Sequence, residues 1–273
     1  MKKLIICLLC LLLFLSPVFA EKDTASEEYL KSKHHAAFMN PFAEHIAQRV
    51  IKKLLKKETG GTYKVKFDGY TFSSMKKGVF KYLEIRGKNI VSSNIDIPYI
   101  KLFTLSDYNR IDYKQSPVQF KSDMTFAYNL HLSEKSLNQA LENSDYKKVI
   151  RRVNNKLYPI IVVYNVKVRI RHDKLYLIVE YNLPLFQQKK NKTLQISSRL
   201  KIDNGKIYAN NIGIDNAYGS LPIDKLSKLV NMLDPTSFTL DLIDNKKCDG
   251  NITNVSIEDN IVKIDGRIFI KGE

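Results

Sequence analysis

The sequence predicts an α+β domain built on a long, twisted, antiparallel sheet with one face covered. Three features carry that reading. Residues 40–59 repeat apolar side chains at helical spacing, most of the chain from Thr62 onward alternates apolar and polar residues, and only a few later stretches return to helical spacing. Many strands beside few helices make an α+β class.

The chain opens with MKKLIICLLCLLLFLSPVFA, in which Lys2 and Lys3 precede an uncharged run from Leu4 to Leu15 and small residues stand at the outer positions of Val18-Phe19-Ala20. This is the pattern of a secretory signal peptide over 1–20. The run falls short of the about 20 residues that a spanning helix needs, which makes a retained anchor the weaker reading. Residues 21–39 read as a polar linker or an extension of the following helix, and 40–273 as one α+β domain. Export places the protein at a periplasm or cell surface, an oxidising setting. Cys7 and Cys10 fall within the signal, so Cys248 stands alone and the apolar core must hold the fold without an internal disulfide. Formal net charge is +16, and +14 once Lys2 and Lys3 are set aside. Outside the cell such a surplus favours phospholipid headgroups or acidic polysaccharide; its plainer reading is solubility.

In the first helix Asn40 offers an N-cap, Pro41 suits the first turn, and Gly60-Gly61 close the element. Between them Phe42, Ala43, Ile46, Ala47, Val50, Ile51, Leu54 and Leu55 fill a sector of about 220°, and His45, Gln48, Arg49, Lys52 and Lys56 take the remainder. YKVKF, VFKYLEIRG, SNIDIPYIKLFTL and MTFAYNLHL then alternate as half-buried strands, punctuated by Gly69, Gly78, Gly87, Pro98 and Pro117. Ser133 caps a helix over SEKSLNQALEN, and SDYKKVIRRVNNKL forms a second with Tyr146, Val149, Ile150 and Val153 inward. Hairpins follow across His172-Asp173, across Asp203-Asn204-Gly205 and across Glu258-Asp259. Before the last comes LPIDKLSKLVNML, a helix bearing Leu226, Leu229, Val230 and Leu233. The order of helix, strands and hairpin therefore recurs from about Ser133 and from about Pro222, without a residue-level repeat.

Catalytic signatures are absent. No HExxH, GxSxG, GxxxxGKS/T or GxGxxG occurs, and the chain beyond the signal has no CxxC, so no catalytic residue, cofactor or metal is assigned. His34, His35 and His45 beside Glu44 point apart on a helix and read as a solvated face. His131 and His172 have no neighbouring nucleophile. Asp241 with Asp244, and Glu258 with Asp259, are carboxylate pairs of the kind that glycoside hydrolysis uses, yet both lie in turn-forming sequence where Asp serves the backbone. KKGVFKYLEIRGK mixes lysines and aromatics, but the spacing does not fit an RNA-binding strand and no nucleic-acid partner is expected.

The order of elements, together with LEIRGKNI, Gly78, Leu137-Asn138 and the KIDNGKIY hairpin, resembles the LmeA-like phospholipid-binding family over residues 40–270. The resemblance implies a strongly curved antiparallel sheet wrapped around a long N-terminal amphipathic helix, with two or three further short helices, and phospholipid held in an apolar groove. It carries over no catalytic residue. The lysine-rich charge and the Lys189-Lys190-Asn191-Lys192 turn depart from that pattern and leave the headgroup open.

A helix lying on a bilayer would rest its apolar arc on one side only, whereas a sector near 220° asks for cover on several sides, as a curved sheet supplies. Full burial of the eight side chains would be worth roughly 10 kcal/mol as an upper bound. The groove candidates are Phe42, Ile46, Val50 and Leu54 from the helix with Phe80, Leu83, Ile97 and Ile100 from the strands; Lys52, Lys53, Lys56 and Lys57 stand near its mouth for phosphate. The expected function is phospholipid binding by an exported envelope protein, through lipid transfer or envelope maintenance, with phospholipid or an anionic membrane surface as partner. An extracellular module for acidic glycan is the alternative, and a hydrolase a distant third.

Overall fold

A computed structural model of the protein describes residues 40–215, apart from 93, 114, 116–118, 143 and 187–190, together with 248–273. The expected signal peptide and linker, the helix expected after Pro222, and His34, His35, Asp241 and Asp244 lie outside the described residues.

The chain is α+β, and the strand pairs described are all antiparallel. Helix α1 (Asn40–Thr59) leads into β1 (Thr62–Asp68). A short α2 (Phe72–Lys76) precedes β2 (Val79–Phe80), β3 (Tyr82–Ser92), β4 (Ile95–Thr104), β5 (Asn109–Asp112), β6 (Gln119–Phe120) and β7 (Met124–Ser133). Helices α3 (Glu134–Leu141) and α4 (Ser144–Leu157) then lead to β8 (Val162–Arg171), β9 (Lys174–Asn182), a 3-10 turn (Pro184–Phe186), β10 (Lys192–Asp203), β11 (Lys206–Asp215), β12 (Cys248–Glu258) and β13 (Ile261–Ile270). The strands form a six-stranded sheet in the order β1-β3-β4-β7-β13-β12, a four-stranded sheet β11-β10-β9-β8 and a three-stranded sheet β2-β5-β6.

Alternation sets what is buried. Met124, Phe126, Tyr128, Leu130 and Leu132 of β7 are buried while their neighbours are only partly so, and Val262, Ile264, Ile268 and Ile270 of β13 repeat the pattern opposite them. Val166, Val168 and Ile170 of β8 with Leu175, Leu177 and Val179 of β9 do the same in the second sheet. Both sheets feed one continuous core. Helix α3 lies against β4 and β8, and β12 against β10 and β11, which ties the sheets together.

Local signals place most turns. His172 and Asp173, then Asn204 and Gly205, take the positive φ that two-residue hairpin turns need. The last hairpin turns at Asp259 and Asn260, one residue beyond the expected pair, because Glu258 still pairs with Ile261. Ser133 caps α3 in a reciprocal box with Ser136. In α4, Tyr146 and Val153 are buried and Val149 and Ile150 pack on the core.

Three further features differ from the sequence reading. VFKYLEIRG is not one strand: Val79 and Phe80 pair with Arg110 and Asn109, whereas Tyr82 pairs with Asp68. Lys81 is the junction, its N–H donating to Asp68 O at 2.9 Å and its carbonyl accepting from Asn109 Nδ2 at 3.1 Å. Helix α2 was not anticipated; its cap is Thr71 with Ser74 in place of the usual Glu or Gln, so the local signature is weak. The apolar sector of α1 is also covered less than expected. Ile51 and Leu55 are buried, Ala47 and Leu54 pack partly on the core, and Phe42 is 66% exposed.

Candidate functional site

Helix α1 runs without Gly or Pro from Phe42 to Thr59, and Lys56 and Lys57 in its last turn suit the negative end of its dipole. It stops at Gly60, whose N–H donates to Lys56 O at 3.0 Å with φ +63°. One side is fastened to β1. Leu55 and Ile51 are buried there, Glu44 Oε1 accepts the Gly69 N–H at 2.9 Å, Gln48 Nε2 donates to Phe67 O at 3.4 Å, and Thr59 hydrogen-bonds Tyr63. Burial pushes the Tyr63 hydroxyl pKa up, partly offset by the Thr59 hydrogen bond.

Among the described residues nothing fastens the other side in this way. Phe42, Ile46 and Val50 follow one another four residues apart; Phe42 is exposed and the other two are half-buried. Lys53 and Lys57 continue that row by steps of three and four, whereas Lys52 and Lys56 continue the neighbouring row of His45 and Arg49. All four lysines are exposed.

The strand candidates sit elsewhere. Phe80, Leu83 and Ile97 are buried core residues, Ile100 packs on the core half-buried, and Leu54 does so from α1. Phe80 stacks on Phe67 with ring centroids 5.3 Å apart. Ile97 opposes Ile90 while Ile100 opposes Gly87, so the two stand an odd number of residues apart on β4 and face opposite ways. The structure therefore divides the eight groove candidates between an outward strip of α1 and interior positions.

Sequence reasoning missed a polar cleft of about 420 Å³ between α2 and the three-stranded sheet. Lys76, Lys77, Arg110 and Lys121 line it against Asp112 and Glu273, a cationic surplus suited to a phosphate-sized anion. Gly78 positions it: with φ +76°, a Cβ there would collide with the Ile111 carbonyl, and Ile111 N–H donates to Gly78 O at 3.0 Å. Tyr113 donates its hydroxyl to Lys76 O, and burial raises its pKa with help from Asp112. These cations are far apart in sequence and meet only through β2–β5–β6 pairing; the Lys76-Lys77-Gly78 run was the one local hint.

Among the described residues no group of three or more His, Cys, Asp or Glu could hold a metal ion, and no helix is long and apolar enough to cross a membrane. Glu258 pairs with Lys263 and accepts from Ser256 at 3.1 Å; chiefly the Lys263 hydrogen bond holds its carboxyl below the usual range. His131 lies 4.8 Å from the Tyr99 ring, and burial followed by the charge of Lys263 lowers its pKa. His172 and Asp259 occupy turns, and His45 is exposed. Compared with family models, curated proteins and solved structures, the chain has no match.

Proposed function

We propose that the protein is exported and binds anionic phospholipid, with the side of α1 turned away from β1 as its contact face. The observation that carries this is the row Phe42, Ile46, Val50, Lys53, Lys57 on a helix whose opposite side is fastened to the sheet. Acyl chains take the apolar end of the row. Its lysines, each worth about 1 kcal/mol beside an anionic surface, take the phosphates. The resemblance of LEIRGKNI and Leu137-Asn138 to the LmeA-like family supports the same ligand class.

The chain contains no tryptophan, so a Phe42→Trp variant carries one reporter on this face. Its emission is expected to shift to the blue on phosphatidylglycerol vesicles and to stay unchanged with phosphatidylcholine alone at moderate salt. Salt-sensitive retention on an acidic polysaccharide column, without sedimentation on vesicles, would replace this reading by the glycan module.

A further inference from the structure

Tyr158, Ile160 and Leu185 stand out into solvent at one end of the four-stranded sheet, 69%, 41% and 60% exposed. Their two segments are joined. Helix α4 ends as Tyr158 N–H donates to Asn154 O at 2.8 Å, the chain turns as Ile160 N–H donates to Leu157 O at 2.8 Å, and Leu185 N–H of the 3-10 turn donates to Pro159 O at 3.2 Å. The base beneath is fixed. The Asn154 side chain accepts from Val163 N–H at 2.8 Å and donates to Val163 O at 2.9 Å, and Ile161, with Leu157 and Leu183 beside it, packs into the core. Arg152 and Lys156, one helical turn apart and exposed on α4, lead up to the same end, and neither has an ion-pair partner among the described residues.

We propose that this tip inserts into the interfacial layer of an anionic phospholipid membrane. The proposal rests on the lipid reading above and adds a second contact to it. Among the described residues packing gives these three side chains no use: the core is closed by Leu157, Ile161 and Leu183 beneath them, so they add only apolar surface to water. A tyrosine beside aliphatic side chains suits the boundary between headgroups and acyl chains, and cations at the base of such a wedge draw it to an anionic leaflet. A protein partner fits less well. A stable complex covers about 800 Å² on each side, more than three protruding side chains provide.

A Tyr158→Trp variant makes the tip the sole tryptophan site of the full chain. On phosphatidylglycerol and phosphatidylcholine vesicles its emission is expected to move to the blue and to be quenched by brominated acyl chains. Tyr158→Ser combined with Leu185→Ser alters only exposed side chains and is expected to weaken vesicle partition about tenfold. Arg152→Gln and Lys156→Gln are each expected to cost roughly fivefold, an effect lost at high salt. Water-like emission from Tyr158→Trp, in protein that sediments with the vesicles, overturns the tip and leaves the α1 reading standing. Failure to sediment with any vesicle at low salt overturns both.

Discussion

Asn138 of α3 grips Val168 of β8 from the side: its Nδ2 donates to Val168 O at 2.9 Å and its Oδ1 accepts the Val168 N–H at 2.9 Å. The amide stands in for a neighbouring strand at the open edge of the four-stranded sheet. Asn154 does the same at Val163, and Glu134 Oε2 accepts the Ile170 N–H at 3.0 Å. Two helices thus cover a strand edge that would otherwise offer itself to another chain. Asn138→Ala strands both backbone groups of Val168, and the expected loss is about 2 kcal/mol of stability. Asn138→Asp keeps the acceptor but sets a carboxylate oxygen against the Val168 carbonyl, so it should fare no better. Urea unfolding checks both; an unchanged midpoint for Asn138→Ala would mean that water satisfies the edge.

Gly78→Ala should be costly although nothing but a methyl group is added. The position has φ +76°, and its Cβ would meet the backbone carbonyl of Ile111, which no rotamer change can move. A loss of about 2–3 kcal/mol is expected, measured by chemical denaturation. Gly60→Ala is the comparison, since its φ is also positive but its Cβ would meet no atom within 4 Å. It should cost about 1 kcal/mol.

The contrast between these glycines shows what the sequence makes legible. Hairpins at His172-Asp173 and Asn204-Gly205, the Ser133 cap and the inward face of α4 depend on neighbours in sequence, so period and turn chemistry suffice to find them. The split at Lys81, the cleft around Arg110 and Lys121, and the edge caps on β8 depend on partners that only the sheet order supplies. The width of the apolar sector on α1 was visible, but not which half would meet β1. Gln48, read as polar filler, and Glu44, read beside the histidines of a solvated face, fasten that side. Phe42, Ile46 and Val50 were thus grouped with Phe80 and Leu83 by hydrophobicity alone.

Acid should weaken the fold partly through Glu84. This buried carboxylate of β3 accepts from Arg86 Nε at 2.6 Å and from the Tyr82 hydroxyl at 2.9 Å, with Lys101 Nζ 3.7 Å away. Burial alone would raise its pKa, but the hydrogen bonds from Arg86 and Tyr82 and the charges of Arg86 and Lys101 outweigh it, so the group lies below its ordinary 4.5. Burial and the Glu84 hydrogen bond push the Tyr82 hydroxyl up to about 12. A depressed carboxylate pKa stabilises the folded state above the unfolded value, and that contribution is lost as pH falls through the folded one. Stability should therefore decline below about pH 4.5, and Glu84→Gln should flatten that limb while lowering stability at neutral pH. Urea titrations between neutral pH and pH 3 check the shape; an unaltered acid limb in Glu84→Gln would assign it to other carboxylates.

The four lysines of α1 allow orientation to be separated from plain charge. Lys53 and Lys57 lie in the row of Phe42, Ile46 and Val50, while Lys52 and Lys56 lie in the next row beside Arg49. A helix that rests its outward strip on a membrane brings the first pair to the headgroups and leaves the second pair to the side. With about 1 kcal/mol per lysine at an anionic surface, Lys53→Gln combined with Lys57→Gln should weaken vesicle binding about thirtyfold. Lys52→Gln with Lys56→Gln removes the same charge from the protein and should cost less than about fivefold, because distance and salt screen it. Both variants alter exposed side chains, so unfolding midpoints should match that of the unmodified protein. Equal losses in the two variants would show a response to net charge and would remove α1 as the oriented contact face.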